Sequence, residues 1–186
     1  MIPSARRFHS RVALIASTLA LLVQAAPATA QHGHHEQRSP YAGQQTREIK
    51  SLSPERIEGL ESGEGLGYAK AAELNGLPGP AHVLDMREAL GLDEFQARAV
   101  EAVFASMRAE AVALGGEIIR LEGELDVTFR NPDPSPDRVR TLTAQIAAAE
   151  GRLRAVHLLA HLRIRPLLTD GQVETYGALR GYREDR

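Results

Sequence analysis

An all-α fold, a long antiparallel helical hairpin with short flanking helices, is predicted by three observations. Two apolar seams of near three-four spacing run over residues 93–129 and 136–164, a proline-rich break separates them, and a helix-starting pentapeptide recurs at their outer ends. Composition points the same way. Aromatic residues make up only 4% of the chain and Trp is absent, which favours helices over a sheet sandwich.

The first element in order is a leader over residues 1–30, read as a secretory signal peptide. Arg6, Arg7 and Arg11 form its basic start, Val12 to Val23 its apolar run, and Ala28-Thr29-Ala30 a small-residue cleavage site. An apolar run of about 12 residues falls short of the roughly 20 that a spanning helix needs, so cleavage is expected rather than a retained anchor. No second candidate span follows. Arg6-Arg7 raises the twin-arginine route, but Phe8 and His9 suit that signal poorly, and general secretion to the periplasm is expected. Removal of the leader takes three of the 22 Lys and Arg and none of the 24 Asp and Glu, so the net charge becomes 19 minus 24, or −5. That balance argues against a nucleic-acid partner, whose footprint is basic. With no Cys in the chain, disulfides, thiolate metal sites and a Cys nucleophile are excluded.

Residues 31–50 are polar and His-rich at their start, and are expected to form a flexible arm ahead of a single helical domain over 51–186. Ser53 and Pro54 open a short helix, with Leu52 and Ile57 placed to staple its entry. After the Gly63-Glu64-Gly65 break, one or two helical turns are expected from Leu66 to Leu74, stopped by Asn75-Gly76. Pro78-Gly79-Pro80 reads as a turn and Ala81 to Leu90 as a further short helix. The first long seam then runs Val100, Val103, Met107, Ala111, Leu114, Ile118, Leu121 and Leu125. Asn131-Pro132-Asp133-Pro134-Ser135-Pro136 cannot continue a helix, and Ser135 caps the next. The second seam runs Val139, Leu142, Ile146, Ala149, Leu153, Val156, Ala160 and Ile164, and Pro166 ends or kinks its helix before a last short one to about Leu179. Two such seams joined by a short turn are expected to bury each other in a hairpin or to meet a partner chain. Gly115 and Gly151, each 18 residues from Asp133, are expected to face each other, as a close approach or as a flexible point. Replacing Gly115, Gly116 and Gly151 with Ala is expected to stabilise the domain.

The repeated pentapeptide is Leu92-Asp93-Glu94-Phe95-Gln96 in its first copy and Leu168-Thr169-Asp170-Gly171-Gln172 in its second. In each, Asp93 or Thr169 is placed to cap a helix and Gln96 or Gln172 to reach back to the cap amide, the capping-box arrangement. Leu92 or Leu168 precedes the cap, and Leu168 is expected to staple onto Val173. The second copy is a full Leu-Thr-x-x-Gln and the first departs from it only at Asp93. The pattern resembles the signature of the periplasmic Spy/CpxP family, which also takes in the ZraP and CnrX metal-responsive proteins. The resemblance covers roughly Ser51 to Tyr182. It implies a Spy/CpxP-like helical hairpin, a homodimer, and one of two roles: ATP-independent holding of unfolded proteins, or a metal-responsive accessory function with an envelope-stress signalling partner.

Candidate sites are few. His157 and His161, four apart on one helix face, are spaced to offer two imidazoles to zinc, copper or nickel, with His82, Asp85 or the arm histidines completing the set. The alternative is two helix-flank histidines packed on Leu158 and Leu162. Leu158 stands where a metalloprotease helix carries its Glu, which excludes that chemistry. His32, His34 and His35 form a short tract able to hold a transition metal, and the ZraP and CnrX resemblance lends weight to that role; a ligand-free spacer is the alternative. Leu158, Leu159, Leu162, Arg163 and Ile164 belong to a stretch more apolar than one seam requires. Packing under the short helices, a dimer interface and a client-binding face are all open for it. No phosphate loop and no grouping of nucleophile, base and orienter is recognisable, so no catalytic residue and no required cofactor are expected. A purely structural role remains a third possibility.

Overall fold

The computed structural model describes residues 39–182. The leader and His32, His34 and His35 lie outside the described residues. Every regular element described is helical: α1 (Pro54–Ser62), α2 (Lys70–Glu73), α3 (Pro80–Asp85), α4 (Glu94–Arg130), α5 (Pro136–Ile164) and α6 (Asp170–Leu179), with single 3-10 turns at Gln44–Thr46 and Arg165–Leu167. None of these helices is long and apolar enough to cross a membrane. The expected helical turns of 66–74 shrink to α2, and those of 81–90 shorten to α3, because the chain turns away at Met86.

The helix starts obey the capping chemistry read from the sequence. Ser53 accepts from the Arg56 amide and Ser135 from the Arg138 amide, each with Pro at the following position, where its missing N–H costs nothing. Both motif copies form complete capping boxes, on Asp93 with Gln96 and on Thr169 with Gln172. Leu168 is buried and Val173 packs in the same cluster, as a staple requires.

Helices α4 and α5 pair along their length and bury two apolar clusters. The cluster nearer the Pro-rich turn gathers Ala111, Ile118 and Leu121 of α4 with Leu142, Ile146, Ala149 and Leu153 of α5, under Leu52 and Leu60. Leu60 brings α1 across α4 at Gly115, where a Cβ would sit only 2.1 Å from the Leu60 carbonyl oxygen. The close approach is therefore made to α1. Gly151 is exposed with nothing near its missing Cβ, so the expected Gly115–Gly151 pair does not form. At the open end, Val100 and Ile164 meet Val83 and Leu90 from the α3 side and Leu168 and Tyr176 from the α6 side.

The residues just before α1 also lie on the hairpin. Ile49 packs against the first cluster, Lys50 pairs with Asp126 at 3.2 Å, and Arg130 donates to the Glu48 carbonyl at 2.9 Å. The end of the segment read as an arm is thus held by contacts with α4.

Candidate functional site

Between the two clusters the seam changes character. Met107 of α4 lies between Val100 and Ala111, and on α5 the places between Leu153 and Ile164 are taken by His157, Ala160 and His161. The expected seam residue Val156 is only half-buried, whereas His157 and His161 are 3% and 6% exposed. Periodicity alone favoured the apolar neighbour, but continuing the helical repeat from Leu153 by four residues puts His157 on the buried line. A cavity of about 620 Å³ opens here, bounded by the loop after α1, by α2, by the start of α3, and by α4 and α5.

Several polar wall residues are held by local contacts, and Glu64, Lys70 and Arg108 line the same cavity. Glu73, 8% exposed at the end of α2, accepts at Oε1 from the hydroxyls of Tyr176 (2.6 Å) and Tyr182 (3.0 Å) and from Nε of Arg180 (3.2 Å). The Tyr176 ring is fully enclosed. Burial, followed by the bond to Glu73, pushes its hydroxyl well above the usual phenol range, so it stays a donor. His82 Nδ1 stands 3.6 Å from the same carboxylate. His161 places Nδ1 2.8 Å from the Leu77 carbonyl, which fixes that nitrogen as the donor and leaves Nε2 an acceptor. His157 stacks on Tyr68 with ring centroids 6.1 Å apart, and Tyr68 in turn bonds Arg56. Leu66 forms part of the rim with φ of 43°, a left-handed conformation uncommon for Leu, and its side chain fills the space a Cβ on Gly59 would need.

His157 gives the folded state a pH dependence. Burial, and after it the nearby His161, hold its imidazole below the usual range. In the unfolded chain the group returns to about 6.5. As pH falls below that value the unfolded chain takes up a proton that the folded chain refuses, so stability declines toward the lower folded pKa. Urea midpoints measured at pH 7.5 and 5.5 are expected to drop on acidification, with a slope of at most about 1.4 kcal/mol per pH unit from this group. In His157→Gln that part of the slope should vanish.

The motif residues come together, which their spacing did not announce. The Gln96 amide donates to Gln172 Oε1 at 2.9 Å, and the Gln172 amide returns a bond to Gln96 Oε1 at 3.0 Å. Gln96 also donates to the Leu167 carbonyl at 2.9 Å. The same two oxygens accept from the cap amides of Asp93 and Thr169, so two capping boxes are fused into one clasp at the open end of the hairpin.

The apolar stretch of α5 divides. Ile164, expected on a client or dimer face, is completely buried in the second cluster, because α3 and α6 close over that side of the helix. Leu158 is half-buried. Leu159 and Leu162 remain 49% and 55% exposed, and Arg163 beside them is exposed. Arg152 and Arg165 are engaged by Glu117 and Asp170. Glu73 escaped the sequence reading altogether. Its signal was faint: one acidic residue in a short run ahead of Asn75-Gly76. Among the described residues, no three His, Asp or Glu side chains are grouped so as to hold a metal ion. No protein-family model matches the chain, and neither a curated protein nor a solved structure matches it.

Proposed function

We propose that this protein is a periplasmic, ATP-independent holder of unfolded or misfolded envelope proteins, of the Spy/CpxP type. The observation that carries the reading is the uncovered pair Leu159 and Leu162, three residues apart on one face of α5, with Arg163 next in the chain exposed as well. Apolar side chains in that setting bind a client segment by removing shared surface from water, while an arginine stem lies over apolar atoms with its charge still solvated. The double capping box and its resemblance to the family signature support the same reading. The hairpin is clasped at its open end, and α5 presents this face to solvent.

The test is light scattering of a chemically unfolding client protein in the absence of nucleotide. Suppression near equimolar ratio is expected from the unaltered protein. A Leu159→Ser, Leu162→Ser double variant should need several-fold more protein for the same suppression, with an unchanged melting temperature, because both side chains lie outside the core clusters. Undiminished suppression by that variant removes this face from the reading, and no suppression by the unaltered protein ends it.

A further inference from the structure

The seam cavity holds chemistry that the core does not need and that the outer face of α5 does not use. A carboxylate offers about four acceptor positions over two oxygens. Glu73 receives three donors at Oε1, while Oε2 is enclosed without a hydrogen-bond partner. Nε2 of His157 is enclosed in the same wall, also without one. His161 approaches Glu73 Oε2 to 3.7 Å through Nδ1, but that N–H is directed to the Leu77 carbonyl, so in the neutral ring Nε2 is left as an acceptor. A Cβ on Gly79 would lie 3.0 Å from His161 Nε2 and 3.4 Å from Glu73 Oε2. The two acceptors thus converge beside the Gly79 backbone, which packs too close to them for a side chain, since the same Cβ would lie 2.9 Å from His161 Cε1. Leu66, Phe104 and Met107 supply apolar surface in the same cavity. Its volume of about 620 Å³ falls within the range of small-molecule sites.

The ligand that complements this wall has an apolar body and a head that donates without needing to accept. A primary ammonium carries three donors and no acceptor, and its bond to a carboxylate is charge-assisted. A hydroxyl gives one donor, and a carboxylate head at Glu73 Oε2 would meet a like charge. Lys70 and Arg108 also line the cavity, which makes a carboxylate the control for a head group held elsewhere in it. We propose that the cavity binds an amphipathic primary amine, its ammonium on Glu73 Oε2 and His161 Nε2 and its apolar body against Leu66, Phe104 and Met107. This site shares no residue with the client face of α5, so either assignment stands or falls alone.

Isothermal titration of the purified protein with decylamine, decanol and decanoate, each below its micellar concentration, tests the assignment. Decylamine is expected to bind one site at least about tenfold more tightly than decanol, the difference a charge-assisted bond supplies, and decanoate more weakly than either. Glu73→Gln should erase the preference for amine over alcohol. Because Glu73 also anchors Tyr176, Arg180 and Tyr182, a second variant is needed: Ala81→Phe, at a half-buried lining position outside that network, should abolish binding with the melting temperature preserved. Equal binding of the three probes, no binding of any, or decylamine binding that survives both variants overturns the proposal. So does stoichiometric zinc binding that displaces decylamine and is lost in His161→Gln, which would give the same atoms to a metal.

Discussion

Gly115→Ala is expected to destabilise the protein by about 3 kcal/mol, because the added methyl has nowhere to go. Its Cβ would lie 2.1 Å from the Leu60 carbonyl oxygen and 2.8 Å from the carbonyl carbon. These are backbone atoms, so relief requires α1 to lift from α4 and Leu60, 1% exposed, to leave its cluster. For a domain of this size such a loss lowers the melting temperature by about 6–12 °C. Gly116→Ala and Gly151→Ala should do the reverse. Both positions are exposed within helices with nothing near the missing Cβ, and each substitution should gain up to about 1 kcal/mol. Thermal melts of the three single variants decide the matter; a neutral or stabilising Gly115→Ala would mean that α1 does not rest on α4 as described.

The second large effect is expected at the glutamine clasp. Gln96→Ala removes the bond to the Asp93 amide, the bond to the Leu167 carbonyl and both bonds to Gln172. At roughly 0.5–1.5 kcal/mol net for each neutral hydrogen bond, and with a partly buried amide left short of partners, the loss should reach about 2–3 kcal/mol. Gln172→Ala should cost a similar amount. The Gln96→Ala, Gln172→Ala double variant should lose less than the sum of the two, with a coupling of about 1 kcal/mol or more in denaturant unfolding. Strict additivity would show that each glutamine serves only its own cap.

What the sequence disclosed was the part governed by neighbours along the chain. Ser53, Asp93, Ser135 and Thr169 cap as their local patterns indicate, and the prolines at 132, 134 and 136 divide α4 from α5. Capping needs only three or four consecutive residues, so its signal is complete in one dimension. The features that escaped depend on how separate elements dock. Counting outward from Asp133 paired Gly115 with Gly151, yet equal distance from a turn does not set the rotation of either helix about its axis. Gly115 turns toward α1 instead. On α5, the helix's own rotation carries His157 rather than Val156 onto the seam. Glu73 is assembled from further still, with partners 103 to 109 residues away that arrive only when α6 folds back on α2. Of the candidate site, the two α5 histidines were legible and the acidic centre they border was not.

The clasp also bears on how long the folded chain lasts. Its glutamines are 76 residues apart in sequence, whereas the first α4–α5 contacts form across the short Pro-rich turn. Closing the larger loop costs more chain entropy, so a hairpin that zips from its turn reaches the clasp last. Interactions absent from the folding transition state act on the rate of opening and leave the rate of folding nearly untouched. The fused capping boxes are therefore expected to act as a latch on the lifetime of the native state, with Gln96→Ala speeding unfolding more than it slows folding in denaturant kinetics.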